Sequence, residues 1–447
     1  MPAEAGKIDA KLGTFDTAMV VVSLVVGIGI FRTPAIVARE AGTPGLFLLA
    51  WGIGGLVSLV GALVFAEIGS RHPRAGGYYR VVADCYHPAL AFSLNWAQTL
   101  MQGAGAAGVA FIGAEYLVGL LLPERRGGSS VHCVALVLML VLLVLNGLGI
   151  RVGAGTQNVL SMLKIVMIVG LAVAALALAP KASGQTVVSS AAPAGLAAAL
   201  IPVFYAYGGY HMTMNLGADV KDAKRRFPLA VTAGMLTVVG LYLVLNFAYV
   251  RTLGAGGVAE SKLVAAALAR ASLGAAGERV VSALIFLSAA GFVNATVLQM
   301  PRSYYAMAED GVLPRVFLRV RPRTQVSMAG LFLFGITMLV PAFLLGSFEK
   351  LLNYVIFTDM LTLAVVSSTL FVLRRRGEGG EGREGEDGAF RIPGYPVLPA
   401  LYVLALFAVA AYVALTEPRL ALAGTAILVT GWPLFLLGRR LSGTPAS

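Results

Sequence analysis

The chain has 447 residues, of which 58% are hydrophobic and 13% are charged, and its mean hydropathy is +0.83. This composition excludes a soluble globular protein and predicts one membrane domain. The net charge of +12 is not evidence for nucleic-acid binding, because the sequence has no soluble domain on which a basic face could form.

Twelve apolar runs predict an all-α integral membrane protein with twelve transmembrane helices, since roughly 20 apolar residues cross a bilayer. The runs lie at about 14–38, 45–69, 88–121, 131–150, 157–179, 194–217, 228–250, 280–306, 327–345, 350–373, 397–415 and 420–438. The first run is expected to be a retained span, because it lacks the basic stretch, short apolar core and cleavage site of a signal peptide. The Ala- and Gly-rich stretch 255–279 is expected to carry a short amphipathic helix on the outer face.

Basic residues set the orientation of these spans. Twelve spans place both termini on one side, where 22 of the 34 Lys and Arg residues fall, against 10 in the segments on the other side. The positive-inside rule then predicts cytoplasmic tails at 1–13 and 439–447 and a cytoplasmic loop at 374–396. Residues 377–388 of that loop are rich in Gly and Glu and are expected to be flexible. The chain is therefore predicted to be a multi-pass protein of the cytoplasmic membrane.

Glycines interrupt two of the predicted helices, at Val26–Phe31 in span 1 and at Tyr205–Tyr210 in span 6. A glycine inside a helix costs about 1 kcal/mol relative to alanine, and unwound backbone at membrane depth must face protein or a water-filled cavity. Interrupted helices at matching positions of two halves indicate the substrate site of a transporter. The alternative is that these glycines only permit close helix packing.

Three ordered motifs resemble those of one transporter superfamily. They read GIGIFRTP at 27–34, FAEIGSRHPRAGGYY at 65–79 and RSYYAMAEDGVLP at 302–314. They are similar to G-S-G-I-F-x-x-P, E-L-G-s-x-x-P-x-x-G-G-x-Y and R-x-x-y-A-m-A-r-D-G-x-L-P of the amino acid–polyamine–organocation superfamily, nearest its L-amino-acid-transporter-like branch. With the sixth span and Lys221 to Pro228, the resemblance extends from about residue 12 to 375.

The resemblance implies a LeuT-type fold and a secondary active amino acid transporter. Spans 1–5 (14–179) and spans 6–10 (194–373) would form two inverted repeats, and spans 11 and 12 (397–438) would lie at the periphery. The two breaks would then face each other near the middle of the bilayer.

Helix ends at these breaks suit a zwitterion. The outer half of span 1, from Ile30, offers unpaired amides to a carboxylate, and the outer half of span 6 offers unpaired carbonyls to an ammonium group. The candidate substrate-binding residues are Gly27, Ile28, Gly29, Ile30, Phe204, Tyr205, Tyr207, Gly208 and Gln102. Ile28 replaces the family's small polar residue, Tyr205 aligns with the aromatic residue that closes over substrate, and neither break contains an acid. Small or medium neutral L-amino acids are the expected substrates.

Lys164 is expected to take part in coupling, because a lysine inside an apolar span is expensive and by default functional. In several members of the superfamily a lysine here takes the place of a sodium ion, which implies sodium-independent transport. Lys164 would then either carry the coupling proton or act as a fixed charge, so proton symport and exchange both stay open. The alternative is that Lys164 snorkels to the inner surface.

Arg32 and Asp359 are opposite charges in spans 1 and 10, and with Tyr205 they are the candidate outer gate. The alternative pairs Arg32 with Glu115 or Glu40 and lets Asp359 cap nearby backbone.

Metal-ligand spacings and nucleophile motifs are missing from the sequence, so neither an enzyme nor a cofactor is predicted. The expected partners are the amino acid, the bilayer and, in a symporter, protons, with no nucleic acid and no accessory subunit. A second class of function is a transporter-like nutrient sensor or membrane interaction subunit without turnover, which the short tails disfavour.

Overall fold

The computed structural model describes residues 10–121, 129–182, 194–261, 263–345, 348–378 and 389–442. Over these ranges the chain forms fourteen α-helices and no β-strand. The helices are α1 Thr14–Val25, α2 Gly29–Ala41, α3 Pro44–Arg71, α4 Gly77–Cys85, α5 Pro88–Leu121, α6 Ser129–Gly147, α7 Ile150–Leu178, α8 Ala194–Tyr207, α9 Ala223–Glu260, α10 Val264–Glu309, α11 Met328–Leu345, α12 Phe348–Glu378, α13 Val397–Thr416 and α14 Pro418–Ser442. Short 3₁₀ helices cover Tyr210–Asn215, Gly217–Asp219 and Arg315–Leu318.

Nine of the helices in the described ranges are long and apolar enough to cross a membrane, and α1 with α2 makes a tenth span when the bent pair is taken as one. The all-helical membrane protein expected from composition is thereby confirmed. Two predicted spans do not count as long helices, because span 6 is divided between α8 and a 3₁₀ helix and α11 is short. The predicted tails and the stretch 377–388 lie largely outside the described residues.

Two helices extend well beyond the predicted spans. Backbone at Gly254 and Gly274 is non-helical, with φ of 70° at each, and separates a short piece at the end of α9 and another at the start of α10 from the main parts of these helices. These pieces occupy the stretch 255–279, where a short helix was expected. The helix α4 lies between two predicted spans, where the sequence analysis predicts no helix, and it directly follows the turn-favouring residues Pro73 and Gly76.

Apolar side chains are exposed on several helices and buried on the second half of α10. Exposed leucine, valine and phenylalanine side chains cover α6, α7, α11, α13 and α14, as expected of surfaces that face lipid. The second half of α10 is buried on all sides and packs against α5 and α7. It therefore passes through the centre of the molecule, next to both breaks.

Ion pairs tie the helices together at the end of the molecule where α10 ends. Arg302 donates to both carboxylate oxygens of Asp219, at 2.9 and 2.7 Å, and both side chains are buried. Arg374 makes the same two-bond contact with buried Glu67, at 2.8 Å for each bond. Arg80 of α4 pairs with Asp310. Burial raises the pKa of the Asp310 carboxyl, and the Arg80 guanidinium beside it acts in the opposite direction.

Candidate substrate site

The first break has amides without a backbone hydrogen-bond acceptor among the described residues. Helix α1 ends at Val25, α2 begins at Gly29, and the two axes differ by 42°. The amides of Ile28, Gly29 and Ile30 donate to no backbone carbonyl in the described part of the chain, as expected of the first turn of a helix. The partial positive charge of this helix end and its free N–H groups favour an anion such as a carboxylate.

The carbonyls of the first break, in contrast, are all occupied. The Tyr242 hydroxyl of α9 donates to the Val25 oxygen at 3.0 Å. The Lys164 amine of α7 donates to the Val26 oxygen at 2.6 Å. The Ser288 hydroxyl of α10 donates to the Gly27 oxygen at 3.4 Å. Three side chains from three helices therefore cover the negative end of α1.

The second break lies directly against the first. Helix α8 ends at Tyr207, and Gly209, with φ of 112°, leads into the 3₁₀ helix Tyr210–Asn215. A Cβ atom added at Gly29 would lie 3.2 Å from the Ala206 Cα, and one added at Gly209 would lie 2.4 Å from the Leu24 carbonyl oxygen. Backbone of the neighbouring helix thus requires glycine at 209 and leaves little room for a side chain at Gly29.

Among the described residues, one of the last four carbonyls of α8 has its own donor, and another shares the Tyr242 hydroxyl with Val25. The Tyr205 oxygen accepts the Gly208 amide at 3.1 Å, and the Ala206 oxygen lies 3.2 Å from the Tyr242 hydroxyl. The partial negative charge of this helix end favours an ammonium group. Amides of one half-helix and carbonyls of another therefore meet at one place.

Tyr242 is a residue of the site that sequence reasoning missed. Its hydroxyl lies within hydrogen-bond distance of Val25 and Ala206, one carbonyl from each break, and can donate its single hydrogen to one of them at a time. Its ring packs against Tyr207 and Trp51, with centroids 4.9 and 5.7 Å away. No motif in the seventh span marks this tyrosine, so the sequence holds no signal for it.

The other predicted substrate residues lie around the breaks in different ways. Ile28 and Ile30 are buried, whereas Phe204, Tyr205 and Gly208 are partly exposed. The Tyr207 hydroxyl donates to the Trp51 carbonyl at 3.3 Å, so this side chain points toward α3. Gly27 and Gly29 lie in the first break, and Gln102 is partly exposed on α5.

Lys164 is buried, with 1% of its side chain exposed, and its amine reaches the first break. Besides the bond to Val26, Nζ donates to the Ser23 carbonyl at 3.3 Å. A Cβ atom added at Gly291 of α10 would lie 2.9 Å from the lysine Cε. The amine therefore lies between α1, α7 and α10, where the resemblance implied a cation.

A chain of hydrogen bonds, here called the polar seam, continues from this point along α7. Its members are Ser23, Ser161, Gln157, Asn294 and Asn146. The two serine hydroxyls lie 2.7 Å apart, and Gln157 Nε2 donates to Ser161 Oγ at 3.0 Å. Asn294 Nδ2 donates to Gln157 Oε1 at 2.9 Å, and Asn146 Nδ2 donates to Asn294 Oδ1 at 2.7 Å. All five side chains are at most 3% exposed, so the seam is a buried and well-paired network.

The two charges of the candidate outer gate lie near different neighbours. Asp359 Oδ1 accepts a long bond of 3.5 Å from Gln98 Nε2, and Asp359 lies within electrostatic range of Tyr205. Arg32 and Glu115 both lie within electrostatic range of the Tyr116 hydroxyl. The structure thus brings Asp359 to the second break and Arg32 to the surroundings of Glu115.

In the described part of the chain, no group of three or more His, Cys, Asp and Glu side chains is arranged to hold a metal ion.

Comparisons with known proteins agree on one family. The family model described as amino acid permease matches residues 12–436. The serine/threonine exchanger SteT of Bacillus subtilis (strain 168) is 27% identical over 382 residues, covering 85% of this chain and 86% of that protein. The human b(0,+)-type amino acid transporter 1 is 24% identical over 375 residues, covering 81% and 76%. The human large neutral amino acids transporter small subunit 2 is 25% identical over 440 residues, covering 96% and 80%.

The matched region includes both breaks, Lys164 and Asp359, and the family is one of membrane transporters and not of enzymes. The superfamily expected from the three motifs is confirmed by the family model and by these relatives. The chain belongs to the amino acid permease family of the amino acid–polyamine–organocation superfamily.

Proposed function

We propose that this chain is a secondary active transporter that moves neutral L-amino acids across the cytoplasmic membrane by alternating access. The observation that carries the proposal is the contact between the two breaks. The free amides at 28–30 face the place where α8 ends, and Gly29 approaches Ala206 closely. A zwitterionic α-amino acid matches both helix ends, with its carboxylate on α2 and its ammonium group on α8.

The proposed architecture has twelve spans, with spans 1–5 and 6–10 as inverted repeats of the LeuT type and both termini in the cytoplasm. The meeting of two interrupted helices supports the repeat arrangement, because such helices lie at corresponding positions of the two halves. The excess of Lys and Arg in the segments on the side of the termini supports the orientation.

Neutral substrates are proposed because the side chains at the first break are apolar. Ile28 and Ile30 are buried there, and the contacts with substrate that we infer are main-chain groups. Two relatives have names that state a neutral substrate, serine and threonine in one and large neutral amino acids in the other. The names support this class for the chain without choosing between small and large members.

Sodium-independent coupling through Lys164 is proposed for the same site, by symport with a proton or by exchange. The lysine amine already donates to the carbonyls of Ser23 and Val26, so oxygen atoms that would coordinate a cation have a protein donor. Its near-complete burial and its position at the break support a functional role over snorkelling.

Arg32 and Asp359 remain our proposal for an outer gate, in which Tyr205 takes part. In the proposed fold, α2 and α12 line the outer vestibule, and within the described ranges the Asp359 carboxylate accepts a long bond from Gln98. Arg32 would move from the surroundings of Glu115 to Asp359 as the vestibule closes.

Uptake by vesicles that contain the purified chain alone tests the proposal. A panel of labelled amino acids is offered with and without internal amino acid and with and without a pH gradient. Accumulation of neutral amino acids is expected, and esters or decarboxylated analogues should not compete because they lack the carboxylate. Full competition by a simple amine would contradict the site, and binding without uptake would favour the sensor. Using the chain alone also tests the expectation that no accessory subunit is needed.

A further inference from the structure

Four arginines are concentrated in the segment that joins α10 to α11, here called the basic turn and defined as residues 315–327. They are Arg315, Arg319, Arg321 and Arg323, and all four side chains are exposed. The sequence contains no aspartate or glutamate from 311 to 348, so the basic turn has a formal charge of +4 and no acid of its own. The nearest acids before it, Glu309 and Asp310, both pair with Arg80 of α4.

The backbone of the basic turn is held by its own hydrogen bonds. A short 3₁₀ helix is followed by a hairpin, in which Val320 bridges Ser327 and the Gln325 amide donates to the Arg321 carbonyl at 2.8 Å. The Ser327 hydroxyl donates to the Phe317 carbonyl at 3.0 Å and ties the hairpin to the 3₁₀ helix. The four arginines are therefore carried by one short, folded segment.

Apolar side chains anchor the basic turn to the body of the molecule. The Phe317 ring packs edge-on against Tyr304 of α10, with ring centroids 6.3 Å apart. Val320 is buried together with Ala75, and Leu318 packs against the same small cluster. Because these contacts occupy one side of the segment, the exposed arginines lie on the side that faces away from the protein.

The guanidinium groups of the basic turn have no partner in the part of the chain that the structure describes. None of the four makes a hydrogen bond or an ion pair with another described residue. Like charges held close together repel one another, and a bound anion relieves this repulsion. Guanidinium groups bind phosphate through two parallel hydrogen bonds, so phosphate groups are the anions that these arginines favour.

Exposed apolar side chains next to the arginines favour a lipid over a dissolved anion. Val316 is 45% exposed within the basic turn, and Met328, the first residue of α11, is 40% exposed. Phe332, about one turn further along α11, is 72% exposed. The apolar surface of α11 thus begins where the basic turn ends, as expected at the boundary between acyl chains and headgroups.

We propose that the basic turn binds the headgroups of anionic phospholipids, with its guanidinium groups on the lipid phosphates and with Val316 and Met328 against the first carbons of the acyl chains. The proposal requires that α11 lies in the bilayer with the basic turn at its surface. It goes beyond the proposed function, because it concerns a second ligand and does not depend on whether the chain moves amino acids.

Titration of the purified chain with a short-chain phosphatidylglycerol, in a neutral detergent, tests the proposal. The thermal unfolding midpoint is measured against phosphatidylcholine of the same chain length and against inorganic phosphate. We expect phosphatidylglycerol to raise the midpoint and the other two to leave it unchanged, because a ligand that binds the folded state stabilises it. The rise should shrink as the ionic strength increases, since salt screens exposed charges.

Paired arginine substitutions locate the site. Arg321→Gln with Arg323→Gln removes two charges from the basic turn, and Arg225→Gln with Arg226→Gln removes two exposed charges from the start of α9 as the matched control. Each arginine near an anionic lipid surface raises the affinity severalfold. The phosphatidylglycerol concentration that gives half of the midpoint shift is therefore expected to rise at least about tenfold in the first pair and less than about threefold in the control.

Equal losses in the two pairs would mean that the lipid responds to the overall surface charge, and would overturn the proposal. A midpoint raised as much by inorganic phosphate as by phosphatidylglycerol would assign the arginines to a dissolved anion instead. No rise with phosphatidylglycerol in a chain that takes up amino acids normally would refute the lipid site alone. The expected shifts in a chain that takes up no amino acid would support the lipid site and refute the proposed function.

Discussion

Replacing Tyr242 by phenylalanine removes one oxygen atom from the place where the two helix breaks meet. The hydroxyl lies 3.0 Å from the Val25 carbonyl oxygen and 3.2 Å from the Ala206 carbonyl oxygen, and the side chain is completely buried. A phenylalanine ring fits the same space between Trp51 and Tyr207. The variant therefore tests the hydrogen bond and not the packing.

The size of the effect follows from the number of bonds. A protein hydrogen bond contributes about 1 kcal/mol. The Val25 oxygen would keep a second donor in the variant, because it also accepts the Gly27 amide at 2.8 Å. Because the hydroxyl of Tyr242 donates to one carbonyl at a time, the loss is of this order and not twice as large. If the bond holds the breaks in the arrangement that binds substrate, the half-saturating concentration rises by about fivefold, which is the equivalent of about 1 kcal/mol.

Exchange kinetics in vesicles measure this concentration, and Tyr249→Phe is the matched control. Tyr249 is also buried on α9, but its hydroxyl lies 3.5 Å from the Ile30 carbonyl oxygen, too far for a strong bond. We expect less than about a threefold change in this control, since a weak bond contributes a few tenths of a kcal/mol at most. An unchanged half-saturating concentration in Tyr242→Phe would refute the reasoning. An equal rise of the half-saturating concentration in both variants would mean that the loss of affinity is not specific to the Tyr242 hydrogen bond.

Further predictions concern the other groups at the breaks. Lys164→Ala is expected to reduce net transport more than substrate binding, measured as uptake and as ligand competition, and wild-type uptake with an unchanged pH profile would favour snorkelling. Gly29→Leu is expected to abolish transport while the folded protein stays in the membrane, because a Cβ atom there already lies 3.2 Å from the Ala206 Cα; retained uptake would contradict the close approach. Arg32→Gln and Asp359→Asn are expected to cut exchange sharply, with partial recovery in the charge-swapped pair, and purely additive effects in a double-mutant cycle would exclude the gate. Replacement of sodium by choline is expected to leave wild-type uptake unchanged, and a steep dependence on sodium would contradict the role given to Lys164.

The positions of the breaks could be predicted because their cause is local. Glycines inside apolar spans are costly unless the backbone must unwind or approach another backbone, and both conditions hold at Gly29 and Gly209. The position of the Lys164 amine at the end of a helix could be predicted for a similar reason. A buried lysine needs hydrogen-bond acceptors, and the carbonyls at the end of α1 supply them.

Contacts between distant parts of the chain could not be predicted in the same way. Tyr242 is 217 residues from Val25, and Asn146 is 148 residues from Asn294. A tyrosine or asparagine in an apolar span shows that a partner is needed but not which one. No helix is predicted at α4, which directly follows the turn-favouring residues Pro73 and Gly76, and the contacts that stabilise it come from α5, α10 and α12.

The carbonyls and the amides of the first break differ in whether protein groups already bind them, and this difference supports the proposal that the break binds a carboxylate and not a metal cation. Its carbonyls at Val25, Val26 and Gly27 accept hydrogen bonds from a phenol, an amine and a serine hydroxyl. A cation that bound these oxygens would have to displace donors from three different helices. The amides at 28–30 have no such competitor in the described part of the chain, and they carry the positive end of α2. The protein therefore satisfies the negative end of α1 with its own side chains, and the positive end of α2 is where we propose that the substrate carboxylate binds.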